Sequence, residues 1–208
     1  MFPRRAALAL PALIATLMMA ASAATGAVLH HPIEKHLTRI SAARADRQKC
    51  ANAITPATSM SRGAMRASVV CLVNQQRVHH HLPPLRADQD LNRSAQGWTN
   101  TMVQTGDFTH GTNFAGRISA AGYDWSSVGE NIAAGFQTPW EVVKAWMASP
   151  DHCTNILDPT FVDVGTGLST QHLGQYGPST WTQDFGLWVG HNSPSNNHGP
   201  QNGCPYKI

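Results

Sequence analysis

The chain has 208 residues, a formal charge of +3 and 42% hydrophobic residues, which suits a folded domain of ordinary size with its own core. Removing residues 1–27 would take away Arg4 and Arg5 and no acid, leaving +1. A near-neutral chain lacks the electrostatic footprint of a nucleic-acid binder or of a protein that lies on an anionic surface. The 11 histidines would turn it strongly cationic only below about pH 6.

Arg4 and Arg5 precede an apolar stretch from Ala6 to Ala20. Small residues follow at Ala21-Ser22-Ala23 and again at Thr25-Gly26-Ala27. This is the pattern of an export signal over residues 1–27, and the apolar run, at about 15 residues, is short of the roughly 20 a bilayer span needs. The paired arginines lack the wider twin-arginine consensus, so ordinary export is expected. The mature chain is expected to be secreted, extracellular, not membrane-spanning and monomeric. Residues 28–58 show no clear periodicity and are read as a linker.

From Ser61 the pattern becomes helical. Met65, Val69, Leu72 and Val73 recur at helical spacing and Pro83-Pro84 should end the helix. A second helix starts near Asp88, with Leu91, Ala95, Trp98 and Met102 as its apolar stripe and Gly106 as its terminator. A shorter helix is predicted from Phe114 to Ala121. Thr138-Pro139-Trp140-Glu141 carries a capping-box start. Ser149-Pro150-Asp151 opens a further short helix bearing His152, Cys153 and Ile156. Strand character comes late, in Val162–Leu168 and Trp181–Val189. Helices followed by strands argue for an α+β protein layered around one sheet over residues 59–190. Residues 191–208 read as a coil tail.

The four cysteines of an exported chain suggest two disulfides, and three pairings are possible. Cys50–Cys71 and Cys153–Cys204 are favoured: the first staples the N-terminal segment to the first helix, the second pins the tail. Absence of a C-x-x-C pair argues against a zinc framework. A reactive thiol at Cys153 is the lesser reading.

Chemistry-bearing residues fall in polar islands: Phe108-Thr109-His110, Gly129-Glu130-Asn131, Ser149-Pro150-Asp151-His152 and Trp181-Thr182-Gln183-Asp184-Phe185-Gly186. His110 follows a helix terminator, where a surface-loop role is the ordinary one. Glu130 sits in a turn-like context, where it would bind backbone amides. His152 lies in a helix first turn, where the dipole disfavours imidazolium and leaves a ring able to ligate metal or take a proton. Together they match the donor set of a divalent site with open positions, so zinc held by His110 and His152 is one expectation. Glu141 is a further candidate, although its capping box accounts for it. His79-His80-His81 points in several directions and reads as a solvated cluster. No G-x-S-x-G elbow, phosphate loop or dinucleotide fingerprint occurs.

In this order the islands resemble the CAP superfamily of cysteine-rich secretory, antigen 5 and pathogenesis-related 1 proteins, in its bacterial secreted branch. The resemblance runs from about Val69 to Val189. It includes Leu72-Val73-Asn74-Gln75-Gln76-Arg77, Leu85, Ala95, Trp98, Trp146 through His152 and Asn155-Ile156-Leu157. It implies a three-layer α-β-α sandwich with a twisted, mostly antiparallel central sheet, and a cleft around a His/Glu cluster. Eukaryotic members build that cluster from two histidines and two glutamates, and some bind zinc. His110 and Glu130 match one of each. The second glutamate falls on Ser149 and the second histidine on Thr180, while the bacterial branch has a histidine where His152 stands. The cysteines follow the bacterial layout. Three functions stay open: a secreted binding or effector module for a lipid, glycan or protein; a hydrolase of peptides or envelope polymer with Glu130 as base, alone or with a metal; and a structural exoprotein with a relic cluster.

Overall fold

A computed structural model describes residues 49–192 and 199–208. The export segment, residues 28–48 of the linker and 193–198 of the tail lie outside the described residues. In chain order the elements are α1 (Arg62–His79), β1 (Arg86–Ala87), α2 (Gln89–Thr105), α3 (Phe114–Ala120), β2 (Trp125–Ala134), α4 (Pro139–Met147), α5 (Pro150–Ile156), β3 (Asp163–His172) and β4 (Pro178–Trp188). The strands form one sheet in the order β1-β3-β4-β2, antiparallel except for the short parallel β1–β3 pair.

Local chemistry places the helix ends. Ser61 accepts from Ala64 N, Asp88 from Asp90 N and Leu91 N, and Asn113 from Gly116 N, each satisfying amides a helix start leaves open. Gly106 ends α2 at φ 78°, a left-handed conformation glycine adopts without a Cβ clash. Thr138 and Glu141 form the capping box expected of them.

Helices cover both faces of the sheet. One core packs Val69, Leu72 and Val73 of α1 with Val143 and Trp146 of α4, Ile156 of α5, and Val164, Leu168, Trp181 and Phe185 of the strands. On the other face α2 lies unusually close to β3. A Cβ on Gly165 would fall 2.1 Å from the Leu91 carbonyl carbon, and one on Gly167 2.2 Å from Ala95 O. Alternation along β3 therefore separates glycines facing α2 from Val164 and Leu168 facing α1.

Side chains bond to strand groups on both open edges of the sheet. β1 pairs only with Asp163 and Val164 of β3. Beyond it, Thr166 N donates to Asn92 Oδ1 (2.9 Å), Leu168 N to Gln96 Oε1 (3.2 Å) and Arg66 Nε to Thr166 O (2.6 Å). At the β2 edge, Asn155 Nδ2 donates to Glu130 O (3.1 Å) and Trp146 Nε1 to Ile132 O (3.3 Å). Unpaired strand groups that would otherwise template another chain are thereby satisfied.

Arg77, fully buried, ties α1 to the loop before β3. Its Nε donates to Pro83 O (2.8 Å), Nη1 to Ile156 O (2.9 Å) and Asp158 O (2.8 Å), and Nη2 to Phe161 O (3.2 Å). Burial pushes its pKa down to about 10, against the opposing charge of Asp158, so it stays cationic at neutral pH. Asn74 adds a paired contact, Nδ2 to Leu85 O (2.9 Å) and Leu85 N to Oδ1 (2.8 Å).

Two disulfides join Cys50 to Cys71 and Cys153 to Cys204. Within the stretch read as a linker, Ala53 and Ala57 are buried, Trp140 N donates to Ala53 O (2.8 Å) and Ala57 N to Gln137 O (2.8 Å). The tail returns to the domain beside its disulfide, where Tyr206 N donates to Met147 O (2.8 Å). One local difference concerns Gly129-Glu130-Asn131, which lies in the middle of β2 and not in a turn. Residues 129–133 are buried on both faces, so the run shows no alternation, and glycine and asparagine are poor strand formers.

Arg77→Met should unfold at lower denaturant, with a loss of about 3 kcal/mol, because four carbonyls, two of them in buried bonds, lose their donor together. Urea titration followed by circular dichroism checks this. A loss below about 1 kcal/mol would mean that water replaces the guanidinium.

Candidate functional site

The site begins with a carboxylate that the fold has taken out of water. Glu130 sits on β2 facing the α2 layer, with its side chain only 2% exposed. Its Oε1 lies 2.8 Å from His110 Nδ1 and its Oε2 2.5 Å from Arg117 Nη2. Both oxygens are occupied, one by an imidazole and one by a cation.

Each partner is itself held in place. Arg117, on α3, lays its guanidinium carbon 3.8 Å from the centre of the Trp98 ring. Its Nη1 donates to His110 O (3.0 Å). Trp98 Nε1 donates to Thr109 O (2.9 Å), fixing the loop from the other side. The loop passes so near Trp98 that a Cβ on Gly111 would meet its ring at 2.8 Å, and Gly111 has φ 66°. The His110 side chain, 47% exposed, is thus anchored by Nδ1 donating to the carboxylate, while Nε2 meets no hydrogen-bond partner among the described residues.

His152 approaches from the opposite helical layer, in the first turn of α5. Its Nδ1 lies 2.9 Å from Ser149 Oγ. Ser149 holds the N-cap position but caps no amide with its side chain. Burial, reinforced by the charge of His110 and opposed by Asp151, keeps the His152 imidazole below its ordinary pKa. The two histidines are therefore within each other's field. Asn131 and Asn155 tie the layers across β2: Asn131 Nδ2 donates to His152 O (3.2 Å), and Asn155 Nδ2 to Asn131 Oδ1 (2.9 Å) as well as to Glu130 O.

Behind Glu130 lies a second acid. Asp184 is the register partner of Glu130 on β4 and is completely buried. Neither carboxyl oxygen makes a hydrogen bond of normal geometry, although Ser94 and Glu130 are its neighbours. Burial above all, then the charge of Glu130, raises its pKa well above the carboxylate range. Asp184 therefore keeps its proton where an ordinary carboxyl would lose it.

Of the residues singled out in the sequence, His110 and Glu130 are in contact and His152 stands near His110. Glu141 is elsewhere. Its Oε2 accepts from Gln137 N (2.9 Å) and Thr138 N (3.0 Å) at the start of α4. Among the described residues no group of three or more His, Cys, Asp and Glu is arranged to hold a metal. Glu130 would have to give up Arg117 or His110 to become a ligand.

Arg117, Trp98 and Asn155 complete the arrangement without any site role in the sequence reading, while Ser149 and Asp184 lay inside the polar islands but were not among its site residues. Asp184 had left a signal, a lone acid inside an aromatic strand. Trp98 reads as part of a core stripe, and nothing marks Arg117 in its short helix.

Comparisons with known proteins agree with this architecture. The model of the cysteine-rich secretory protein family, CAP, matches residues 70–185, more than half of the chain. Among curated proteins, the uncharacterised protein YkwD of Bacillus subtilis is 38% identical over 138 residues, covering 64% of this chain and 51% of that protein. The uncharacterised membrane protein YlbC of the same organism is 26% identical over 117 residues, covering 54% of this chain and 34% of that protein. The chain thus spans about half the length of the first and a third of the second. Among solved structures, an extracellular protein of Bacillus anthracis containing an SCP domain aligns with TM-score 0.52 at 24% identity, over 61% of this chain and 44% of that one. An outer surface protein of Borrelia burgdorferi aligns with TM-score 0.51 at 21% identity, over 56% of this chain and 86% of that one. A cysteine-rich secretory protein of Staphylococcus aureus aligns with TM-score 0.52 at 16% identity, over 61% of this chain and 39% of that one. At these identities the structural likeness bears on the fold, and no described helix is long and apolar enough to cross a membrane. The match over residues 70–185 is what decides the assignment: the chain belongs to the cysteine-rich secretory protein (CAP) family, and its relatives are bacterial.

Proposed function

We propose that the protein is exported and acts outside the cell as a binding module, meeting a lipid, glycan or protein partner through a face made by His110 and His152 and backed by Glu130 and Arg117. The Arg4–Ala27 segment, the two disulfides and the extracellular or surface location named for two solved relatives support export. The observation that carries the binding reading is the double engagement of Glu130. A carboxylate with both oxygens paired and almost no exposure serves poorly as a general base. It serves well as an anchor that holds a half-exposed imidazole in one orientation.

A second reading, hydrolysis of peptides or cell-envelope polymer, is favoured by one contact. Ser149 Oγ lies 2.9 Å from His152 Nδ1, the separation a hydroxyl needs to pass its proton to a base, and the depressed pKa of His152 leaves that ring neutral at neutral pH.

Three outcomes are expected. Native mass spectrometry of protein purified from culture medium should show a retained ligand that the His110→Ala/His152→Ala double variant does not carry. Equal retention by both proteins removes this face from the account. For the second reading, any cleavage of a peptide or envelope-fragment library should vanish in Ser149→Ala, and activity that persists there excludes Ser149 as nucleophile.

The third concerns charge. The folded chain holds a proton on Asp184 at pH values where the unfolded chain, with an ordinary carboxyl near 3.8, has lost it. The native state then binds more protons than the unfolded state, so the stability contribution of Asp184 declines as pH rises from about 4. Asp184→Asn, which needs no proton, should be more stable than the parent at about pH 7, and the difference should shrink toward about pH 4. Urea titrations at both pH values measure it, and a variant with the parent's pH dependence would show that Asp184 does not hold the proton.

A further inference from the structure

Four residues beyond Asp184 on β4, about 13 Å at the rise of a strand, a separate cavity opens at the end of the sheet. Its volume is about 450 Å³, within the range of small-ligand clefts. Arg86, Asp88, Tyr123, Asp163, Trp188 and His191 line it.

Its large exposed aromatic side chain is Trp188, the last residue of β4, which is 46% exposed although Trp146 and Trp181 of the same chain are buried. The ring is not loose. His191 packs edge-on against it, with centroids 5.7 Å apart at 79°, and His191 N donates to Trp188 O (3.1 Å). The indole is held as a platform with solvent-exposed surface.

The polar groups around it are already paired among themselves. Asp163, nearly buried, accepts from Tyr123 Oη (2.8 Å) and from Arg86 Nε (3.0 Å) and Nη2 (3.4 Å). Burial and then Asp163 keep the Tyr123 phenol protonated. Asp90, also at the cavity, is paired with Arg93. Asp88 caps α2 through Oδ1, its charge set against the positive end of the helix. Open to a ligand are Arg86 Nη1, on a side chain 65% exposed, Asp88 Oδ2 and the His191 ring. The cavity therefore offers an exposed aromatic face with donor and acceptor groups beside it, and one carboxylate, Asp88, that no cationic side chain pairs.

That combination suits a molecule with an apolar C–H face and hydroxyls around its rim. We propose that this cavity is a saccharide site, taking a neutral sugar ring stacked on Trp188 with hydroxyls bonded to Arg86 and Asp88. The site is independent of the His110 face and stands whether or not that face binds anything.

The test follows the Trp188 indole N–H signal in ¹⁵N-labelled protein during titration with cellobiose and with the N-acetylglucosamine dimer, using tetramethylammonium and inorganic phosphate as charged probes. A saturable shift of that signal by at least one neutral disaccharide is expected. Binding, followed through the neighbouring backbone amides, should be about tenfold weaker in Trp188→Ala and partly kept in Trp188→Phe. His110→Ala should leave it unchanged, which separates this site from the proposed face. Sedimentation with insoluble cell-wall glycan identifies a polymer as the source if the wild type is retained and Trp188→Ala is not. Absence of any response to both the disaccharides and the polymer overturns the proposal. So does a response only to the charged probes, or saccharide binding that Trp188→Ala leaves intact.

Discussion

A single buried negative charge organises the site. Glu130 sits on a strand, under helices, with Asp184 directly across the ladder. An uncompensated carboxylate there would cost several kcal/mol, so the fold is viable only if cationic or donor groups reach it. Arg117 and His110 are those groups, and their capture has consequences beyond charge. It draws α3 toward the strand, closes the loop between α2 and α3, and lays the guanidinium on Trp98. Asp184 meets the same constraint by a different route. No second cation reaches it, so it holds a proton. Two acids side by side are tolerated because one of them is neutral.

The edge position of β2 decides what can gather around that charge. In the middle of a sheet Glu130 would be hemmed by strands on both sides. At the edge, its backbone carbonyl is free for Asn155 and its neighbour Ile132 for Trp146, so α4 and α5 are pinned to the strand by side chains. His152 rides on α5 and is carried toward His110 by that attachment. The same device, side-chain amides substituting for a neighbouring strand, closes β3 through Asn92 and Gln96 on the far side. Polar residues that look like surface decoration on α2 are thus part of the sheet's hydrogen bonding.

This explains what was legible in the sequence and what was not. Helix starts were legible because their causes are local: Ser61, Asp88 and Thr138 act on amides within three residues. The order of the polar islands was legible as a family pattern, and with it the layered α+β architecture. β2 was not, because a strand buried on both faces has no period-two signal, and Gly129 and Asn131 argue locally for a turn. Gly129 is small for a long-range reason: a Cβ there would meet the Phe161 ring at 2.9 Å. Arg117 and Asp184 were missed for the same reason, since their significance lies in Glu130, 13 and 54 residues away in sequence respectively. The role of Glu141 was the reverse case, a residue whose tempting chemistry is fully accounted for by its own helix start.

The departures from the eukaryotic cluster that the resemblance implies now have a physical meaning. Thr180 stands at the second histidine's position and is wholly buried, with a hydroxyl that finds no partner, so nothing at that position can present a ligand to solvent. Ser149 stands at the second glutamate's position and removes one negative charge, and its hydroxyl meets His152 where a carboxylate would have raised that ring's pKa. Losing a glutamate and a histidine leaves the surviving glutamate with less need of a doubly charged ion and more need of a single, permanent cation. Arg117 supplies it. The orientation of His110 is thereby built into the fold, through Glu130 at its ring and Arg117 at its carbonyl.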